Sequence, residues 1–380
     1  MDRNGPRSRV IRPGKAIVAQ TDTPTLTARH IAGLDSLRFV CAIWVVLHHG
    51  ARPDVPFWLG LSPIFEDLNA IAYDGVAAVI VFFVISGLCV HLPYARSERC
   101  EILPFYAQRF TRIGIPLLVV FGFQLGAFEV GAYRIEDDIA VAMRMVAWSL
   151  WCELIYYALY PGILICFRRI GFIPVIGIAF VAAYLLIIDH WQLLTYWQYS
   201  KRVAWLAALP AWLLGCALAQ VIATRPIWVL PGSVWTWRIV AVLLSIPPKA
   251  LVYTSVTPVL IGNPATLGLY ALFAVIWVAK EIQYYQSHPP PALLEWGGRW
   301  SYSIYLVHNI VLVAFAHGLL HPYQFALWPP ELASVLALSY VFYRLVEYPS
   351  HRLARELGRR LTGWRVVDVL PITLSRVGDP

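Results

Sequence analysis

The residues Gly33-Leu-Asp35-Ser-Leu-Arg38-Phe-Val-Cys-Ala-Ile-Trp-Val-Val-Leu-His48-His49-Gly50 set an apolar run between ionisable ends. As an α-helix, Arg38 and His49, eleven residues apart, return to within ~20° of one face. Asp35 and His49, fourteen residues apart, fall within ~40° of it, whereas His48 points ~80° away from Arg38. Asp35, Arg38 and His49 therefore form one polar stripe on an otherwise apolar helix. The rise from Arg38 to His49 is ~16 Å, half the hydrocarbon thickness of a bilayer. Ionisable groups at that depth are costly and need a reason. Two remain open for His49: a base that takes a proton from a hydroxyl, or a buried imidazole bonded to a neighbouring helix.

The rest of the chain is built for the same environment. Of its 380 residues 59% are hydrophobic and 14% charged, with 16 Trp, 20 Tyr and 17 Phe; the mean hydropathy is +0.62. Soluble domains carry about 25% charged residues. The composition predicts an all-α, polytopic membrane bundle and excludes a disordered or nucleic-acid-coating chain despite a net charge of +8. Apolar runs place about ten spans near 37–52, 75–93, 113–130, 145–167, 172–189, 203–223, 239–260, 265–280, 301–320 and 331–348. Pro247-Pro248 in the seventh predicts a kink or a re-entrant segment, since two amide donors are lost.

Charge orients the bundle. Residues 1–38 hold seven Lys/Arg against three acids, and the stretch after Pro349 six Arg against three. Residues 51–74 hold one Arg and four acids, and 129–144 two Arg and four acids. Excess Lys/Arg stays on the cytoplasmic side, which predicts both termini inside. Lys201-Arg202 falls on the wrong side of this alternation. The expected division is a polar cytoplasmic tail over 1–32, a membrane domain over 33–353 and a basic cytoplasmic tail over 354–380. The first thirty residues lack an apolar signal-peptide core. Cys41, Cys89, Cys100, Cys152, Cys166 and Cys216 mostly lie in apolar runs without CxxC spacing and read as small hydrophobes; no metal-ligand cluster is apparent.

Four more sites place polar groups in apolar surroundings. Arg109 and Arg112, spaced by three, share one side of a helix at the cytoplasmic mouth of the third span, a geometry suited to phosphate and equally to anchoring at the inner surface. Glu153, flanked by aromatics in the fourth span, must be paired or protonated. Ser301, Tyr305 and His308 stack along one face of the ninth span, as a packing seam or a ligand contact. Arg344 and Glu347, at i,i+3, suggest a surface clamp.

Taken in order, Leu34-Asp-Ser-Leu-Arg38 with ten residues to His49, Phe82-Phe-Val-Ile-Ser86-Gly87, Phe105-Tyr with Arg109-x-x-Arg112-Ile, Trp148-Ser-Leu with Glu153 and Tyr157, Ser301-Tyr-Ser-Ile-Tyr305-Leu with His308, and Tyr343-Arg-Leu with Glu347-x-Pro349 resemble the acyltransferase family 3 of bacterial integral membrane proteins. The resemblance spans about residues 33 to 353. It implies a membrane enzyme that transfers an acyl group, commonly acetyl, from acyl-CoA to a hydroxyl of a cell-envelope or exported carbohydrate or glycolipid, in the cytoplasmic membrane and without a metal. It implies that His49 is the base, that Arg38 shares its site, and that Arg109 and Arg112 hold the CoA phosphates. In the reading built on it, Asp35 or Glu153 orients the imidazole, and Ser301, Tyr305 and His308 line the substrate cavity. Where the family often has two adjacent acids, Cys152 here precedes a single Glu153. A carrier or flippase for a polar glycoconjugate is the alternative, since intramembrane His, Arg and Glu also mark transport paths; a broken seventh span favours it and the lack of an internal repeat opposes it.

Overall fold

The computed structural model describes residues 31–50, 71–97, 99–129, 136–199, 202–225, 229–254, 262–315, 328–363 and 366–368. The outermost tails, the loop at 51–70, residues 130–135 and Lys201 lie outside these ranges, so the expectations for both tails, for most of the two outer loops and for the side of Lys201 are not addressed by it. Among the described residues the helices are α1 (Leu34–His49), α2 (Gly75–His91), α3 (Ile102–Glu129), α4 (Glu136–Ile170), α5 (Phe172–Asp189) and α6 (Ala204–Thr224). There follow α7 (Val234–Thr254), α8 (Asn263–Tyr285), α9 (Ala292–Gly298), α10 (Ser301–Ala314), α11 (Trp328–Phe342) and α12 (Tyr348–Arg360). One antiparallel pair of three-residue strands, Arg99–Glu101 with Val366–Asp368, is the small exception to an all-α fold.

Among the described residues a helix overlaps each of the ten apolar runs. Among the described residues six are long and apolar enough to cross a bilayer, running over Gly75–Tyr94, Val146–Ile170, Phe172–Asp189, Ala204–Thr224, Val234–Val252 and Asn263–Tyr285. The protein is a multi-pass membrane bundle. α2 is apolar all round and 72% of its apolar window is buried, whereas α5 buries 17% and turns Ile173, Ile178 and Leu185 outward. The first is the centre of the bundle and the second faces lipid.

Close helix approach sets the centre. A Cβ on Gly87 of α2 would lie 2.0 Å from the Trp212 carbonyl oxygen, and one on Gly215 of α6 would lie 2.0 Å from that of Val84. Small residues at facing positions let two backbones touch where dispersion, not water, drives association. α1 is seated by α9, whose Glu295 Oε1 accepts bonds from the Ser36 amide at 3.0 Å and hydroxyl at 2.8 Å.

The structure bears on three expectations. α7 is one helix through Pro247-Pro248, not a re-entrant segment; the Ser245 hydroxyl donates to the Val242 carbonyl at 2.7 Å in the turn before them. The boundary expected at 353/354 falls inside α12, whose buried Ser350, Ala354 and Gly358 lie against α3. Residues Tyr343–Glu347 form a π-helical turn. Its extra residue turns Glu347 inward, where Ser303 and His351 meet it, and leaves Arg344 at the surface in place of the clamp.

Candidate active site

α1 is unbroken from Leu34 to His49, so the polar stripe exists as the spacing predicts. It crosses the bundle, with its basic end beside the starts of α3 and α12 and its imidazole end beside α10 and α7.

At the basic end Arg38 donates Nη1 to Asp35 Oδ1 at 2.9 Å and Nη2 to Cys89 Sγ at 3.2 Å. Arg109 donates Nη2 to the Cys89 carbonyl at 3.2 Å and lies 5.7 Å from the centre of the Tyr157 ring. Cys89 therefore joins the two guanidinia, one through sulfur and one through its backbone. Arg112 lies within electrostatic reach of both Arg38 and Arg109. Its Nε donates to His351 Nε2 at 3.1 Å. That bond requires a lone pair on Nε2. Burial, aided by the positive charges of Arg112, Arg355 and Arg38, pushes the His351 imidazole down to about 2 and keeps it neutral. Three guanidinia converging on one end of a seam, one of them steered by a neutral imidazole, suit an anion with several oxygens.

Glu153 lies between the two ends. Its Oε1 accepts from Ser86 Oγ at 2.7 Å and from Tyr157 OH at 2.5 Å, and Trp212 Nε1 donates to the same Ser86 at 3.3 Å. The carboxylate is thus engaged by hydroxyls of α2 and α4 rather than by His49. Asp35 does not orient His49 directly either. The two occupy opposite ends of one continuous helix, ~21 Å apart at 1.5 Å per residue, and Asp35 pairs with Arg38.

At the other end His49 Nδ1 lies 2.9 Å from the Val45 carbonyl. A carbonyl only accepts, so the proton sits on Nδ1 and the Nε2 lone pair is left to act as a base. The His308 ring centre is 5.1 Å away and the His48 ring centre 4.8 Å. His308 is fully buried, its Nδ1 lies 3.2 Å from the Ile304 carbonyl, and its Nε2 has no hydrogen-bond partner among the described residues. Tyr305 shares a 2.6 Å bond with Ser149 and donates to the Val146 carbonyl at 3.2 Å. Ser301 donates to the Gly298 carbonyl at 2.9 Å near the start of α1. Of the expected seam on α10, His308 meets His49, Tyr305 braces α4, and Ser301 closes a turn.

Spacing arguments missed two groups. Lys249 of α7 reaches His48 Nδ1 at 2.9 Å and the Tyr73 carbonyl at 2.7 Å. The signal available was a lone lysine in an apolar run. His351 carried no such signal, because it precedes a charged, amphipathic segment.

A family model described as an acyltransferase domain matches residues 31–344. Acyltransferase MdmB of Streptomyces mycarofaciens is 25% identical over 385 residues, an alignment covering 87% of this chain and 93% of that protein. No solved structure matches the chain.

Proposed function

The chain belongs to the acyltransferase family whose domain model spans residues 31–344, and from that premise we propose that it moves an acyl group, most simply acetyl, from cytoplasmic acyl-CoA to a hydroxyl of an envelope or exported carbohydrate. The bacterial cytoplasmic membrane is the setting this reading requires. What carries it is the seam along α1, with Arg38, Arg109 and Arg112 gathered at one end and the His49 base at the other.

The guanidinia hold the CoA phosphates while the pantetheine arm extends along the seam toward His49. His49 Nε2 takes the proton of the acceptor hydroxyl as its oxygen bonds to the thioester carbonyl carbon. The tetrahedral intermediate then expels the CoA sulfur as the C–S bond breaks, and the imidazolium returns its proton to that sulfur. Acylated acceptor and CoA thiol leave, with His49 neutral as it began. His308, its ring centre 5.1 Å from that of His49, keeps a second acceptor beside the imidazolium. Glu153 holds α2 and α4 together around the seam through Ser86 and Tyr157.

Purified protein with labelled acetyl-CoA and an envelope glycan fraction tests this directly. Transfer should depend on His49, and undiminished acylation by His49→Ala would remove the base from the mechanism. A glycoconjugate carrier would neither bind nor cleave the thioester.

A further inference from the structure

Opposite the seam, α1 turns a different face to a second space. Leu37, Cys41 and Trp44 of α1, with Ala78 of α2, Val242 of α7 and Tyr270 of α8, wall a cavity of about 420 Å³. Its lining on α1 runs from Gly33 to Trp44, a length of ~16 Å. That volume spread over that length holds one aliphatic chain rather than two.

The cavity has two unlike ends. At the α1 start lies Arg238, which is fully engaged. It pairs with both Glu281 oxygens at 2.8 Å, donates to Tyr285 OH at 3.0 Å, and sits 4.6 Å over the Trp235 ring. Trp277 Nε1 adds a 3.0 Å bond to Glu281. This end is an aromatic box with its charge neutralised, unsuited to an anionic headgroup.

At the other end is Asp74, fully buried at the N-terminus of α2. Its Oδ1 accepts the Val76 and Ala77 amides at 2.9 and 3.1 Å. Its Oδ2 is buried and has no hydrogen-bond partner among the described residues. A buried carboxylate oxygen left without a donor is expensive. With Lys249 already offsetting the Asp74 charge, a neutral hydroxyl is enough to satisfy Oδ2.

We infer that this cavity binds a single-chain neutral amphiphile, a long-chain alcohol, whose hydroxyl donates to Asp74 Oδ2 and whose chain lies along α1 toward Trp235. The site is separate from the acyl-transfer seam, on the opposite face of the same helix, and stands or falls without it.

Photolabelling of the full chain in detergent with a diazirine-bearing alkanol tests it, with labelled peptides mapped by mass spectrometry. Labels should fall on α1, α2 and α7 and be displaced by dodecanol far better than by dodecane. Asp74→Asn keeps the Oδ1 cap but turns the second oxygen into a donor, and should raise the dodecanol needed for displacement about tenfold. Ala78→Phe, checked for folding by its thermal transition, should abolish cavity labelling. Equal displacement by dodecane and dodecanol, or labelling spread over lipid-facing α5 with none in the cavity, would overturn the assignment.

Discussion

In the proposed reaction His49 and Arg112 stand at the two ends, and each is held by one bond that a neighbour imposes. The Val45 carbonyl fixes the His49 proton on Nδ1, so His49→Ala should cost at least ~100-fold in turnover, the range of a lost general base, while the protein still melts cooperatively. Arg112 is aimed by His351. A lysine lacks the fork and the Nε donor, so Arg112→Lys should raise the KM for acyl-CoA about tenfold with a much smaller change in kcat. His351 itself adds a pH signature. Its native pKa is held down to about 2, below the ordinary histidine value of ~6.5. The unfolded chain therefore binds a proton that the native protein refuses, and stability falls as pH drops below that ordinary value. Between pH 7 and 5.5 this amounts to about 1 kcal/mol. Over this range the parent should lose about that much more stability than His351→Gln in melting curves; equal slopes in both would exclude it.

At the scale of elements, the α2–α6 crossing and the π-helical turn decide where the reactive groups stand. Gly87 and Gly215 bring two backbones together, which sets Ser86 where Trp212 and Glu153 both reach it. Gly215→Leu should destabilise by about 3 kcal/mol or more through overpacking and lower activity with it, read from the detergent thermal transition. In the turn Tyr343–Glu347, the extra residue points Glu347 at the Ser303 amide and hydroxyl. Glu347→Ala should cost about 1–3 kcal/mol by leaving those donors without a partner. It should also loosen α12, which brings His351 to Arg112.

Across the whole molecule, one seam joins a basic end to an imidazole end, and the charge pattern predicts that the basic end lies inside. Reporter fusions at residue 380 and within 51–70 should report opposite sides of the membrane, with the C-terminus cytoplasmic. The positions of the helices were legible along the chain because a bilayer imposes a length and a composition on each span. The Arg38–His49 stripe was legible too, because both residues ride one helix and its period is fixed.

What the sequence by itself determined was the all-α membrane bundle, the stripe on α1 and the paired guanidinia of α3, all consequences of local periodicity and apolarity. Only the tertiary structure decided the partners. It set Glu153 with Ser86 and Tyr157 instead of His49, Lys249 against His48, His351 beneath Arg112, and Asp74 at the end of an apolar cavity. The reason is physical. Within a bilayer the apolar faces of different helices are chemically alike, so nothing local tells one from another. Close glycine contacts and interhelical hydrogen bonds choose the neighbours, and these join residues far apart in the chain.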